Sequence, residues 1–167
     1  MSGSDDAART AEAAARASYG KLVAILAMQG RDIAAAEDAL SEALISALTV
    51  WPERGVPQNP EGWLVTAARN RLKNADRAGR VRQLAVPEVE RRLALPEAEA
   101  AVPDHRLRLM FACAHPAIDP GVRTPLMLQT VLGIDAARMA RVFLTTPATL
   151  SQRLVRAKLR IRDAACA

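Results

Sequence analysis

The 167-residue chain has room for one domain or two small ones, and with aromatics at only 3% its cores must be built from Ala, Leu, Val, Ile and Met. Its net charge of +5 and pI of about 10.0 point to a polyanionic partner. The lack of a phosphate-cradling glycine loop, a nucleophile and base pairing, or a metal-ligand cluster argues against an enzyme. No apolar run approaches membrane-spanning length, and the two distant cysteines, Cys113 and Cys166, without a signal peptide fit reduced thiols, so a cytoplasmic protein is expected.

The composition favours helices, and neither a sustained alternating run nor an Asn-Gly hairpin speaks for strands, so the fold is expected to be all-α. Residues 1 to 10 are small and polar and are expected to fray. A first helix is predicted from Ala11 to Met28, ending near Gly30. A second starts behind Asp32 and runs to Trp51, with Ile33, Leu40, Leu44, Ala47, Leu48 and Trp51 inward and Glu37, Asp38, Ser41 and Glu42 outward. Pro52 is expected to stop it. This end of the chain is acidic, with Asp5, Asp6, Glu12, Asp32, Glu37, Asp38 and Glu42 against Arg9, Arg16, Lys21 and Arg31.

After a loop over 53–59, Asn59-Pro60 is an N-cap followed by a first-turn proline and opens a third helix, with Trp63, Leu64, Ala67, Ala68 and Leu72 inward. Its far end is basic: Arg69, Arg71, Lys73, Arg77, Arg80 and Arg82 stand against Asp76 alone. Gly79 marks a point where the helix could break. Trp51 and Trp63 read as core anchors rather than base-stacking platforms.

From 86 to 103 the composition turns to Pro, Glu and Ala, the mark of a flexible tether with one short helix over 88–95. Its acids, Glu88, Glu90, Glu97 and Glu99, are expected to shield the basic surfaces. Asp104 caps a helix carrying Leu107, Met110, Phe111 and Ala114, which ends at His115-Pro116. A further helix with Leu126, Leu128, Val131 and Leu132 leads to Gly133 and starts at either Asp119-Pro120 or Thr124-Pro125. The earlier start leaves Pro125 in the interior, at a cost of about 3 kcal/mol. Cys113 and His115, with His105 and Cys166 elsewhere, are too few and too scattered for a zinc site, so no metal or cofactor is expected.

The last segment, Leu132 to Arg162, reads as a helix-turn-helix. Asp135 suits an N-cap, with Ile134 and Met139 placed as a hydrophobic staple; residues 143–146 make the turn; Thr146-Pro147 opens the second helix. Leu150, Leu154, Ala157 and Ile161 repeat inward, while Thr149, Ser151, Gln152, Arg153, Arg156, Lys158, Arg160 and Arg162 occupy the other faces. Such a helix can enter a major groove, its first polar residues reading bases and its later arginines binding phosphates.

Taken together, AEDALSEAL at 36–44, NPEGWLVTAARNR at 59–71, the tether, DHRLRLMFACAHPAID at 104–119 and TLSQRLVRAKLRIR at 149–162 resemble the extracytoplasmic-function sigma factors. Within them the chain is similar to the group marked by a Phe-x-Cys-x-His-Pro stretch. The resemblance implies two small helical domains, a σ2-like bundle of three or four helices at 11–85 and a σ4-like helix-turn-helix bundle at 104–165, joined by the 86–103 linker. It implies that Glu37, Asp38, Ser41 and Glu42 dock on the β′ clamp helices of bacterial RNA polymerase, with the β flap as a further contact. It places Arg69, Asn70, Arg71, Lys73, Asn74 and Arg77 on the −10 element, and Thr149, Ser151, Gln152, Arg153, Arg156 and Lys158 on the −35 element.

The chain departs from the family pattern at Ser41, usually Gln, at Leu44, usually Phe, and after Asn70, where several cations are missing. Relatives of this group commonly carry a large helical C-terminal extension, so this chain is expected to be either trimmed or a short, divergent member. A regulatory extension or an anti-sigma factor is an implied partner. The leading expectation is promoter-specific initiation with polymerase core; the alternative is a sigma-like mimic that sequesters an anti-sigma factor.

Overall fold

The computed structural model describes residues 2–81 and 103–165, and these form seven α-helices and no strand. They are α1 (Ser2–Gly30), α2 (Ile33–Arg54), α3 (Pro60–Val81), α4 (Arg106–Cys113), α5 (Pro120–Leu132), α6 (Ala136–Ala140) and α7 (Pro147–Ala165). The expected tether, with its four acids and short helix, lies outside the described residues except for Pro103. Among the described residues no helix is long and apolar enough to cross a membrane.

The molecule is built around α1. Six consecutive residues, Leu22 to Ala27, are buried, whereas a helix packed on one face leaves part of every turn in water. α1 achieves this by contacting α2, α3, α4 and α5. The buried residues of both halves consequently form one continuous core, and the segments expected as separate domains meet along this helix. α1 also begins earlier than expected, at Ser2.

α2 is capped as expected: the Asp32 carboxylate accepts from Ala35 N–H at 3.0 Å. Its inward face is made chiefly of Ala36, Ala39, Ala43 and Ala47 with Ile33, Leu40 and Trp51, and alanines let neighbouring backbones approach closely. Leu48, expected inward, is 48% exposed. Pro52 does not stop the helix, which continues to Arg54. Proline removes its own N–H and crowds the carbonyl one turn back, but the residues after it can still bond helically, so the stop falls instead to Gly55, at φ +86°, whose N–H returns to the Trp51 carbonyl at 2.9 Å.

α3 opens with Asn59 accepting from Gly62 N–H at 3.0 Å and runs unbroken through Gly79. One interior glycine costs only about 1 kcal/mol relative to alanine, too little to break a helix anchored by buried Trp63, Leu64, Val65 and Ala68. Trp63 packs edge-on to Trp51, ring centroids 5.4 Å apart at 71°, an arrangement favoured by the aromatic quadrupole. Glu61 at the start of α3 is held from α1 by the Ser18 hydroxyl and by Lys21 Nζ at 2.8 Å.

In the second half, Asp104 accepts from Arg106 N–H at 3.0 Å, although the N-cap position itself falls on His105. Of the two starts open to α5, the earlier is taken: Asp119 accepts from Gly121 N–H at 2.8 Å and Pro125 lies inside the helix, buried. Gly133 closes α5 in the left-handed conformation, φ +68°, its N–H on the Gln129 carbonyl at 2.9 Å.

Candidate nucleic-acid interface

α6 and α7 make the expected helix pair. Asp135 accepts from Arg138 N–H at 2.8 Å to start α6, and buried Met139 with half-buried Ile134 occupies the staple positions. The turn passes through Leu144, left-handed at φ +49°. The Thr146 hydroxyl oxygen accepts from Thr149 N–H at 3.2 Å, starting α7 as the Thr-Pro pair foretold. Leu150, Leu154, Ala157 and Ile161 are buried along its inner face.

Five of the six residues expected to read DNA from α7, Thr149, Ser151, Gln152, Arg153 and Arg156, reach solvent. Arg153, Arg156 and Arg160 line a cleft of about 250 Å³ floored by Ile118, Val122 and Ala157 and bordered by Asp119. The sixth, Lys158, is the correction: it is 8% exposed, and its ammonium sits 2.5 Å from Glu37 on α2. It falls one residue past Ala157 and three before Ile161, on the edge of the buried stripe rather than on the outer face.

Glu37 is the matching correction on α2. Expected outward with Asp38, Ser41 and Glu42, it is turned into the molecule against Lys158 and the phenol of Tyr19. Burial raises its pKa, Lys158 opposes the rise, and Asp38 adds to it. Tyr19 is raised in turn, first by burial and then by Glu37. Two further features complete this seam. Arg162 lies 3.8 Å from Asp32, and Gly20 of α1 meets the Val131 backbone so closely that a Cβ there would stand 1.9 Å from the Val131 carbonyl oxygen.

Asp38, Ser41 and Glu42 do face solvent, and the same face of α2 continues into Ile45, 64% exposed, and Leu48. Those two were missed, though their spacing from Ser41 and Glu42 is helical and was readable in the sequence. On α3, Asn70, Lys73 and Asn74 are exposed, Arg69 is half-buried, and Arg77 is helical. Arg71 is engaged by α2, donating to Glu42 and to the Ser46 hydroxyl, both at 2.8 Å. α4 presents Leu107, Met110 and Phe111 outward, the last 70% exposed.

Cys113 is a buried core thiol 3.3 Å from the Thr130 hydroxyl, its pKa pushed up by burial, while His115 Nδ1 accepts from Ala117 N–H at 3.2 Å. Among the described residues no three His, Cys, Asp or Glu side chains gather as metal ligands.

No family model matches the chain. It is similar to an uncharacterized protein of Rhizobium meliloti (strain 1021), 35% identical over 144 residues, a match covering 80% of this chain and 34% of that protein. The chain thus spans about a third of the length of this relative.

Proposed function

We propose that the chain is a promoter-recognition subunit of the extracytoplasmic-function sigma type, which turns over no substrate and directs core RNA polymerase to −10 and −35 elements in the cytoplasm. The observation that carries this reading is α7: an inner apolar stripe docked on the fold, small polar residues at a capped start, and a row of exposed arginines beyond them. A major groove about 12 Å wide admits such a helix. Three other surfaces support the reading. The outer face of α2, Asp38 to Leu48, combines acids with apolar side chains and suits the clamp helices of β′. The apolar row Leu107, Met110 and Phe111 on α4 suits the β flap. Asn70, Lys73 and Asn74 on α3 suit the −10 element.

In vitro transcription with purified core polymerase on a genomic promoter library tests this and returns the promoter motif. Arg153→Ala and Arg156→Ala should each lose about 1–3 kcal/mol of promoter-directed activity, roughly 5- to 150-fold. Wild-type run-off yields from both variants would remove the −35 assignment.

One observation favours the alternative of a mimic that occupies an anti-sigma factor without initiating transcription: Arg71, a cation of the −10 helix, is already paired with Glu42. Stable core binding together with promoter-dependent transcripts excludes it; core binding without transcripts supports it.

A further inference from the structure

We propose that the cleft between α7 and the turn leading into α5 binds a small two-ended anion, a short aliphatic chain with a carboxylate or phosphate at each end. Its occupant takes Arg153 and Arg156 away from DNA; this competition, though not the binding itself, rests on the promoter-recognition reading above.

The charges call for such a ligand. Arg153, Arg156 and Arg160 recur every three or four residues and so stand on one side of α7. At 1.5 Å per residue the first and the last are about 10 Å apart along the axis, a spread that suits two anionic groups better than one. Among the described residues Arg153 and Arg156 have no hydrogen-bond or ion-pair partner, while Lys158 and Arg162 of the same helix are taken up by Glu37 and Asp32. Asp119 is the one acid at the rim, and its carboxylate already accepts from Gly121 N–H. One carboxylate against three guanidiniums leaves two positive charges, which a dianion neutralises.

The middle of the cleft sets the rest of the chemistry. Ile118, Val122 and Ala157 form its floor, and none of them has a polar side-chain atom. A hydroxylated body would give up water there and gain no partner, whereas methylene groups gain by burial. At about 250 Å³ the cleft falls below the range of roughly 300–1,000 Å³ common for drug-sized ligands. No aromatic side chain lines it, so a nucleotide base would have nothing to stack on.

The wall facing α7 is built before any ligand arrives. Ile118 N–H returns to the His115 carbonyl at 3.0 Å, Ala117 N–H donates to His115 Nδ1 at 3.2 Å, and Arg123 Nε donates to the Ile118 carbonyl at 3.0 Å. Arg160 reaches across to the Ala117 carbonyl at 3.5 Å. A turn held this way loses little freedom on binding.

Isothermal titration calorimetry on the full chain at fixed ionic strength tests the site with adipate, 1,6-hexanediol bisphosphate and hexanoate. At least one of the two-ended anions should bind one to one, and the tighter of them identifies the end group. Hexanoate, charged at one end, should bind at least about tenfold more weakly, and Arg160→Ala should weaken the tighter ligand by a similar factor. Asp119→Asn keeps an N-cap acceptor and removes the negative charge at the rim, so it should bind that ligand about threefold more tightly. A merely structural Asp119 would give no such gain. In transcription from a promoter found by the library experiment, the same ligand should lower transcript yield with dose, and more promoter DNA should restore it.

No saturable binding of either two-ended anion would overturn the site, as would equal binding of hexanoate or an unchanged affinity in Arg160→Ala. Binding without loss of transcript would overturn the competition and leave the promoter reading standing. If wild-type protein and core polymerase yield no transcript from any promoter, the promoter reading fails and the competition with it, while the calorimetry still decides the site.

Discussion

Two glutamates are pulled in opposite directions by their surroundings. Hydrogen bonds from Lys21 and Ser18 hold the Glu61 carboxyl below the usual range, whereas burial pushes Glu37 above it despite Lys158 and Tyr19. A lowered carboxyl contributes stability that is present above its unfolded value near 4.5 and lost as pH falls through its folded value. A raised one contributes stability that is present below 4.5 and lost as pH rises through its folded value. In urea unfolding across the acid range, Glu61→Gln should flatten the acid-side loss of stability. Glu37→Gln should flatten the decline that sets in above pH 4.5. Profiles that superimpose on wild type would take both carboxylates out of the pH dependence. Gly133 offers a backbone test. At φ +68°, with Tyr19 3.1 Å from the position of a Cβ, Gly133→Ala should cost about 1–2 kcal/mol, read as a lower urea midpoint with unchanged slope.

At the scale of the element, α1 is where both halves of the chain find their common interior. Leu26 is fully buried in it, so Leu26→Ala should cost about 2–5 kcal/mol. Because α1 packs on α2 and on α5, hydrogen exchange should quicken in both helices; acceleration confined to α2 would mean that the halves are energetically separate. Much of the element pattern was legible in the sequence because its causes are local. Asp32, Asn59, Asp135 and Thr146 cap within three residues of themselves, and the α7 stripe needs only helical spacing. What escaped depends on partners far along the chain. The apolar run from Leu22 to Met28 carries no polar face, a sign of all-round burial, yet which helices enclose it is not a property of the run. Leu48 read as core because it is apolar and in phase with Leu44; the helix instead packs through its alanines. Glu37 and Lys158 are separated by 121 residues, and nothing near either announces the other.

The whole molecule carries oppositely charged surfaces on one shared interior, and that arrangement decides how it must behave as a body. The exposed cations of α7 and α3 and the exposed acids of α2 stand on one body, and the core that unites them couples their positions. The tryptophan pair described above has a practical outcome for measuring this. Trp51 and Trp63 are the chain's only indoles, and both belong to α2 and α3, so intrinsic emission watches the amino-terminal half while the carboxy-terminal helices are optically silent. Thermal transitions followed by indole emission and by far-ultraviolet dichroism should therefore coincide for wild type, whose halves share one core, and split for a variant that loosens α1 from α5.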